Sequence, residues 1–406
     1  MTAKKENIFV GFGLGAIQSG LFLAEAFKNG HFDRLVVAEV DAKRVAALRR
    51  HHGTLQINVA EANGRIVQTV TGVEVYNPMA AADVEPLVHA LADACEWATA
   101  LPSIDFYDRG KPSVAQLLRE ALARKRADPA KPPAICYTAE NHNHAAERLA
   151  QLCDAAEPSR AERLHMVNTV IGKMSSVVTD PAQVAELGLA PVVPDGGEAF
   201  LVEAFNRILI SQLPATGFQR LITVFEEKPD LLPFEEAKLY GHNAVHALLG
   251  FLAAERGLSV MSDLAAHPDL VEQGRRAFMT ESGAALIAKH QGVDPLFTDE
   301  GFADYAEDLL TRMLNPFLRD PVSRIIRDPL RKLGWHDRLI GTIRLVQDQG
   351  LQPTTFLQGV RRAMRAGGAD CSRGALDRQW AAEGAPPAER QAILELLDGI
   401  PESNAD

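Results

Sequence analysis

The sequence Ile8-Phe-Val-Gly-Phe-Gly-Leu-Gly-Ala16 begins as a short apolar run and breaks into a glycine-rich turn. A predicted helix over residues 17–29 follows, so strand, turn and helix succeed one another. A dinucleotide-binding fingerprint requires this context, because the turn backbone and the helix N-terminus then face a pyrophosphate. We expect Gly11 to permit the tight turn and Gly13 to let the backbone approach the ligand. Ala16 stands where the third glycine of the fingerprint often lies.

A second predicted strand, residues 34–41, ends in carboxylates. Glu39 follows Gly13 at about the distance at which the acid that binds the adenosine ribose is found. A carboxylate there accepts from the 2′-hydroxyl of NAD and repels the 2′-phosphate of NADP, an exclusion that the nearby Arg44 could soften. The alternative is a glycine turn in an unrelated α/β domain. The predicted NAD-binding residues are Gly11, Gly13, Gly15, Ala16 and Glu39.

Predicted strands and helices alternate through the first half of the chain, with strands at residues 134–138 and 163–171 and a hairpin or strand pair between residues 60 and 76. From Phe234 onward only helical periods remain, broken by short glycine or proline segments. We therefore predict an α/β protein, in which a Rossmann-type doubly wound sheet domain with extra strands (1–217) precedes an all-α domain (218–406). The boundary is placed at Gly217, with an uncertainty of about ten residues.

The composition is that of a soluble globular protein of 406 residues, with 47% apolar and 23% charged residues. The net charge of −11 argues against binding to nucleic acid or to an anionic membrane, although it allows a local basic pocket. Four scattered cysteines predict free thiols in a reducing cytoplasm, and the polar N-terminus predicts neither a signal peptide nor a membrane span. No metal site is expected, since His142 and His144 have no acid or cysteine partner in pattern.

Residues 236–253 are predicted to form a helix with an unusual polar face. At about 100° per residue, Lys238, Asn243 and His246 fall at about 0°, 140° and 80°, so an amine, an amide and an imidazole share one side. Burial lowers the pKa of a lysine towards neutrality, as a general base requires. The alternative is an amphipathic helix on which Lys238 extends along apolar surface and Asn243 and His246 satisfy one another. His242, at about 40°, is a rival for His246.

A basic segment from Arg319 to Arg338 holds six basic residues and three acids in a chain that is acidic overall. This local concentration of guanidinium groups suggests an anion site, because the fork of an arginine matches phosphate oxygens. The alternative is a set of surface charges paired with Asp320, Asp328 and Asp337. The candidate phosphate ligands are Arg324, Arg327, Arg331 and Lys332.

The spacing Lys238-x4-Asn243-x2-His246 is the signature of the polyol-specific long-chain dehydrogenases, and the whole chain resembles that family. The resemblance extends through Ala139-Glu-Asn141, through Glu281-Ser-Gly-Ala-Ala-Leu-Ile287 and through the run from Arg312 to Leu333. The Pro-Leu-Arg-Lys sequence of that run resembles the members that act on polyol phosphates more than those that act on free polyols.

The resemblance implies a metal-independent, NAD-dependent dehydrogenase that oxidises a secondary hydroxyl of a sugar alcohol or its phosphate, as in mannitol 1-phosphate to fructose 6-phosphate. It implies Lys238 as the general base and Asn141 with Asn243 as the pair that holds the developing alkoxide. His246 would orient the substrate and the lysine. A polyol or polyol phosphate is the expected partner, with no nucleic acid and no membrane, and a monomer or small homo-oligomer is the expected assembly.

Three places depart from the family pattern, and all flank the expected cofactor and substrate crevice. The fingerprint reads Gly11-Phe-Gly-Leu-Gly-Ala16, Gly172-Lys173 replaces an Asp-Arg pair, and a strand ends in Thr99-Ala-Leu-Pro102. The alternative enzymes are a reductase of sugar acids such as fructuronate or tagaturonate, a free-polyol dehydrogenase, and a hydroxyacid dehydrogenase of the 6-phosphogluconate type. A non-catalytic NAD(H) sensor is the alternative from another class, but a sensor has no use for the polar face of the 236–253 helix.

Overall fold

The structure, a computed structural model, describes residues 6–154, 163–213 and 218–400. The chain forms two compact units, Met1–Leu231 and Leu232–Asp406. The boundary predicted at Gly217 lies outside the described residues. The strand Phe225–Lys228 still belongs to a sheet of the first unit, so that unit extends past the predicted position.

Two sheets form the centre of the first unit. The strands in its described residues are β1 (Ile8–Phe12), β2 (Arg34–Ala38), β3 (Leu55–Glu61), β4 (Gly64–Val70), β5 (Val73–Tyr76), β6 (Glu96–Thr99), β7 (Ala134–Thr138), β8 (Leu164–Val170), β9 (Ser175–Val178), β10 (Ala199–Glu203), β11 (Ile208–Ser211) and β12 (Phe225–Lys228). The larger sheet has the order β12-β11-β8-β7-β6-β1-β2-β5 and the smaller the order β4-β3-β10-β9. From β8 to β5 all neighbours are parallel. These six strands have the Rossmann order, which confirms the predicted fold.

The predicted pairing of strands between residues 60 and 76 is wrong, because β4 and β5 lie in different sheets. β4 pairs antiparallel with β3 in the smaller sheet, whereas β5 pairs parallel with β2 at the edge of the larger one. Alternation of apolar residues identifies a strand but not its partner, which depends on the surface that the strand covers. Most of the extra strands expected in this domain therefore form the smaller sheet.

Helices pack on both faces of the larger sheet, so its two faces are buried in separate cores. The α-helices in the described residues of this unit are α1 (Ala24–Asn29), α2 (Ala42–Arg50), α3 (Ala81–Asp93), α4 (Val114–Ala127), α5 (Ala145–Leu152) and α6 (Pro181–Glu186). Along β1, Ile8, Val10 and Phe12 belong to the core that includes α3 and α4. Phe9 belongs to the other core, which includes α1 and α2. The near-continuous apolar sequence of β1 follows from this double burial.

The described part of the second unit is helical, apart from an isolated bridge between Val260 and Pro321. Its helices are α7 (Leu232–Glu236), α8 (Ala244–Glu255), α9 (Pro268–Arg276), α10 (Ala284–Lys289), α11 (Asp299–Met313), α12 (Val322–Ile326), α13 (Pro329–Lys332), α14 (Ile340–Asp348), α15 (Thr354–Gly367), α16 (Arg373–Ala382) and α17 (Pro387–Asp398). Two π-helical segments, Ala237–Asn243 and Ala277–Gly283, join α7 to α8 and α9 to α10. Such segments are rare and frequently occur at functional sites.

The four cysteines are free thiols, and Cys136, Cys153 and Cys371 are buried. Burial raises the pKa of Cys136 well above its usual value, so this thiol stays protonated. Within the described ranges, no helix has the length and the apolar composition needed to cross a membrane. Nor do three or more His, Cys, Asp or Glu side chains of those ranges come together as a possible metal site.

Glu281, the first residue of one sequence motif, holds the start of α15. It is buried, and its carboxylate accepts hydrogen bonds from the backbone N–H groups of Thr355 at 2.8 Å and Phe356 at 3.1 Å. Burial raises the pKa of Glu281, while these two donors oppose the rise. The motif therefore fixes one helix of the second unit against another.

Replacing Glu281 by alanine should destabilise the protein, because two backbone donors at the N-terminus of α15 lose their acceptor. We expect the free energy of unfolding to fall by about 1–2 kcal/mol, measured by urea denaturation followed by circular dichroism. The matched control is Glu272→Ala, which removes an exposed partner of Arg275 and should change this free energy by less than about 0.5 kcal/mol. Equal stability of the two variants would contradict the capping role.

Candidate active site

The glycine turn after β1 is made at Gly13. This residue has a φ of +82°, which glycine adopts without strain, and its N–H donates to the carbonyl of Ala38 at 2.8 Å. Gly11 still lies within β1, so the prediction that it makes the tight turn is wrong. A Cβ on Gly11 would lie 2.1 Å from Nε2 of Gln18. Glycine at position 11 therefore leaves room for the buried side chain of Gln18 from the following helix.

The turn and the helix that follows it fit a dinucleotide. A Cβ on Gly15 would meet no atom within 4 Å, so the turn is open there, and the helix begins at Ala16. Gln18 and Ser19 are fully buried in the π-helical segment Gln18–Leu23, and their side chains have no hydrogen-bond partner among the described residues. Buried polar groups without a partner are rare in native proteins. The open turn at a helix N-terminus is a suitable site for a pyrophosphate.

Glu39 lies directly after β2, and its side chain braces the glycine turn. Its Oε2 accepts from the N–H of Leu14 and its Oε1 from the N–H of Asp41, both at 2.8 Å. A carboxylate has about four lone-pair positions, so Glu39 can hold the turn and still accept from a ribose hydroxyl. Nη1 of Arg44 lies 3.8 Å from Oε2 of Glu39.

Asn141 lies at the carboxyl edge of the larger sheet, three residues after the end of β7. The preceding residue, Glu140, is buried and accepts from Oγ1 of Thr99 and the N–H of Leu101, both at 2.9 Å, and from the hydroxyl of Tyr107. Burial raises the pKa of Glu140, and the three donors oppose the rise. The sequence motif contained Glu140, but its role in fixing this strand end was not predicted.

In the second unit, Lys238, Asn243 and His246 lie on one continuous helix, residues 232–255. Lys238 and Asn243 fall in the π-helical segment 237–243, so the angles of a regular α-helix do not apply to them. In a π-helix the backbone hydrogen bonds join residues five apart. Lys238 and Asn243 are therefore about one turn apart, rather than separated by about 140°. In this π-helical segment, Lys238 and Asn243 therefore lie closer to the same side of the helix than the α-helical angles predicted.

Lys238 lies in surroundings that lower its pKa. The residue is largely buried, and this burial is the main cause. The charge of Arg338 adds to it and Glu235 opposes it, which leaves the pKa of Lys238 at about 8. At pH 7 roughly one lysine in ten is then neutral. The predicted direction of the shift is confirmed, but the resting side chain at pH 7 is mostly the ammonium form.

The two histidines of this helix are buried, with ring centroids 6.0 Å apart. Nε2 of His246 lies 3.5 Å from Oδ2 of Asp320 and has no hydrogen-bond partner among the described residues. Burial lowers the pKa of His246 to about 4, although Asp320 opposes the change. Burial and the neighbouring ring of His246 lower the pKa of His242 well below its usual value. Both rings are neutral at pH 7, and His246 presents a buried nitrogen suited to a ligand hydroxyl.

Asp320 connects the helix of Lys238 to the basic segment. It is buried and accepts a bidentate fork from Arg324, with Nε 2.7 Å from Oδ1 and Nη2 2.6 Å from Oδ2. The same carboxylate lies beside His246. Sequence reasoning treated Asp320 only as the partner of a surface charge. The pairing with Arg324 follows from their i, i+4 spacing, whereas the proximity to His246 has no local signal.

The other predicted phosphate ligands differ in burial. Arg327 is 74% exposed and lies 3.6 Å from Asp328, and Arg331 is half-exposed and lies 3.3 Å from Asp337. Lys332 is buried and donates to the carbonyl of Arg327. Burial and two nearby arginines lower the pKa of Lys332 to about 8. The surface-charge alternative thus describes Arg327 and Arg331 but not Lys332.

Arg338 was not among the predicted ligands, yet it shares the surroundings of the polar helix face. Its side chain is 15% exposed, and its Nε donates to Oδ1 of Asp337 at 2.8 Å. Its charge lowers the pKa values of Lys238, His242 and His246. The feature of the sequence that pointed to a role for Arg338 was its position at the end of the basic segment.

Comparison with known proteins finds similarity over both units. Residues 230–379 match the mannitol dehydrogenase C-terminal domain. The chain is 27% identical over 369 residues to the mannitol-1-phosphate 5-dehydrogenase of Bacillus licheniformis, with 88% of each chain covered. It is 34% identical over 164 residues to that of Pseudarthrobacter chlorophenolicus, with 40% of this chain and 41% of the relative covered.

A solved structure shares the fold of this chain. It is the Pseudomonas fluorescens mannitol 2-dehydrogenase in a ternary complex with NAD and D-mannitol. The TM-score is 0.72 at 14% identity, with 98% of this chain and 92% of that chain covered. At this identity the likeness concerns the fold, a Rossmann-type domain followed by a helical domain.

Asp320→Asn should destabilise the protein, because Arg324 loses the charge of its buried partner. We expect the free energy of unfolding to fall by about 2–3 kcal/mol, measured by urea denaturation. Asp328→Asn is the matched control at an exposed pair and should change this free energy by less than about 0.5 kcal/mol. Equal stability of the two variants would instead support the alternative drawn from the sequence, in which Asp320 pairs with a basic residue at the surface.

Proposed function

We propose that this chain, which is similar to mannitol-1-phosphate 5-dehydrogenases over most of its length, is a polyol-specific long-chain dehydrogenase and catalyses the NAD-dependent oxidation of a sugar alcohol phosphate at a secondary hydroxyl. The reaction is of the mannitol 1-phosphate to fructose 6-phosphate type. The observation that carries the proposal is Lys238, an amine with a pKa of about 8 on a helix that also presents Asn243 and the neutral His246. The sequence relatives named mannitol-1-phosphate 5-dehydrogenase support the phosphorylated substrate.

Oxidation of an alcohol requires a base, donors that stabilise the alkoxide and an acceptor for the hydride. The nicotinamide, when bound, supplies the acceptor. Nζ of Lys238, as the neutral amine, takes the hydroxyl proton. The amide of Asn243 donates to the developing alkoxide oxygen, and Asn141 is the second proposed donor. Nε2 of His246 has no hydrogen-bond partner among the described residues, so we assign the hydrogen bond that orients the substrate to His246 rather than His242.

The first unit supports NAD as the cofactor. The open turn from Gly13 to Ala16 suits the pyrophosphate, and Glu39 is placed to accept from a ribose hydroxyl. The solved relative from Pseudomonas fluorescens contains NAD.

We propose that the buried end of the basic segment binds the substrate phosphate. Lys332 and Arg338 are the favoured ligands, because a cation already withdrawn from water loses little further hydration when it meets the phosphate. Arg324 and Arg331 remain candidates, but their side chains are more exposed than that of Arg338, at 37% and 54% against 15%. Arg327 is the least favourable of the predicted four, since its side chain is mostly in water.

The role of Lys238 predicts a pH dependence of polyol phosphate oxidation. Because the active form is the neutral amine, kcat/KM should rise with pH through one ionisation near pH 8, that of the free protein, and reach a plateau above it. Lys238→Ala should abolish this ionisation and lower kcat by a factor on the order of 10²–10⁴. The measurement is a pH–rate profile followed at the NADH absorbance.

The matched control for this prediction is Lys289→Ala, which removes a more exposed lysine of the same unit and should keep the normal profile. NADH binding should survive in Lys238→Ala, because the glycine turn and Glu39 are unchanged. Near-normal kcat with the same pH dependence in Lys238→Ala would mean that the helix serves only packing.

Arg338→Gln should have two effects, one on the binding of the substrate and one on the pKa of Lys238. The KM for the phosphorylated polyol should rise by about tenfold to hundredfold, because a charge-assisted contact is lost. The ionisation of Lys238 should also move to higher pH, since the positive charge that lowers its pKa is removed.

Arg327→Gln is the matched control for Arg338→Gln and should leave both quantities unchanged, because Arg327 is exposed. A panel of polyols and polyol phosphates with the unmutated protein provides the reference. If mannitol is oxidised as well as its phosphate, the phosphate proposal fails and a free polyol or a sugar acid becomes the favoured substrate.

A further inference from the structure

Arg44 is held between two carboxylates at the edge of the glycine turn. Its Nε and Nη2 each lie 2.7 Å from an oxygen of Glu198, in a bidentate fork. Its Nη1 lies 3.8 Å from Oε2 of Glu39. The Arg44 side chain is 31% exposed and those of Glu198 and Glu39 are less so, at 21% and 6%. One cation thus lies between two anions, and the group as a whole is negative.

Glu198 reaches Arg44 from a distant part of the chain, 154 residues away. It directly precedes β10 of the smaller sheet, and its carbonyl accepts from the N–H of Val192 at 2.9 Å. The other end of α2 is held by the same segment, because both Arg50 and His51 pair with Asp195. The segment from Val192 to Glu198 therefore fixes α2, and with it Arg44, at both ends.

The position of Arg44 is one from which an arginine can bind the 2′-phosphate of NADP. In Rossmann domains an acid at the end of the second strand binds the ribose 2′-hydroxyl, and an arginine nearby accommodates a 2′-phosphate. A guanidinium 3.8 Å from the carboxylate of Glu39 is within reach of a phosphate on that hydroxyl after a change of side-chain rotamer. Glu198 already occupies two of its nitrogen atoms and adds a negative charge that repels a second anion.

We propose that Glu198 is a specificity-determining residue for the cofactor. By holding Arg44 in the fork, Glu198 keeps the guanidinium from binding a 2′-phosphate, so that Glu39 alone determines the charge at the ribose. Preference for NAD(H) over NADP(H) then depends on a residue outside the glycine turn and β2. This inference rests on the proposed NAD-dependent function.

The test is a titration of the purified full-length protein with NADH and with NADPH, followed by cofactor fluorescence, so that binding is measured without turnover. The unmutated protein should bind NADH more tightly than NADPH. Glu198→Gln should strengthen NADPH binding by roughly tenfold, because the released guanidinium gains a charge-assisted contact. The Kd for NADH should change by less than about twofold. Adding Arg44→Ala to Glu198→Gln should remove the gain.

Glu198→Ala is a second variant, because it also removes the amide oxygen with which glutamine could still hold Arg44. The matched control is Glu74→Gln, which breaks the fork between Glu74 and Arg34, at 2.7 and 2.8 Å, at the other end of β2. Neither Kd should change in that control. Circular dichroism and the Tm show whether each variant is folded.

Three results would overturn the inference while leaving the proposed function intact: no gain in NADPH binding in either Glu198 variant, a gain that persists without Arg44, or equal affinity of the unmutated protein for both cofactors. Failure of the unmutated protein to bind either cofactor would overturn the inference together with the proposed function.

Discussion

The removal of the Lys238 ammonium from water is the constraint on which the site of the second unit depends. Burial disfavours the charged form, and the nearby Arg338 disfavours it further. The carboxylate that opposes this effect is Glu235, three residues before Lys238 on the same helix. Without it the pKa of Lys238 would be lower and the amine a weaker base. The balance between Arg338 and Glu235 thus helps to set the strength of the base.

The backbone of the polar helix contributes as much as its side chains. A π-helical turn places Lys238 and Asn243 about one turn apart, which an α-helix does not. Close packing accompanies this turn, because a Cβ on Gly241 would lie 3.0 Å from the ring of Phe278, a residue of the other π-helical segment of this unit. Glycine at position 241 lets the two segments approach, and the rest of the helical unit holds both in an uncommon geometry.

The parts of the structure that could be predicted from sequence are those whose cause is local. The glycine turn, the acid after β2 and the apolar runs led to the Rossmann order, because crossovers between parallel strands are nearly always right-handed. Contacts between distant segments could not be predicted. The periodicity of β4 does not reveal β3 as its partner, and neither the fork from Arg44 to Glu198 nor the proximity of His246 to Asp320 has a local signal. The role of Gly11 was missed because a glycine looks the same in sequence whether it makes a turn or permits close packing.

A pKa near 8 for Lys238 also bears on the direction of the proposed reaction. The two directions require opposite forms of this side chain, since the amine accepts a proton during alcohol oxidation and the ammonium donates one during ketone reduction. At pH 7, below this pKa, the ammonium is the main form of the free protein. Reduction of a ketose phosphate then starts from the main form, and oxidation from the minor form. Binding of an anionic phosphate beside the lysine would strengthen this bias, because a nearby negative charge raises the pKa of an amine. The same phosphate contact that selects the substrate would thus also favour, at neutral pH, the protonated form of Lys238 that ketone reduction requires.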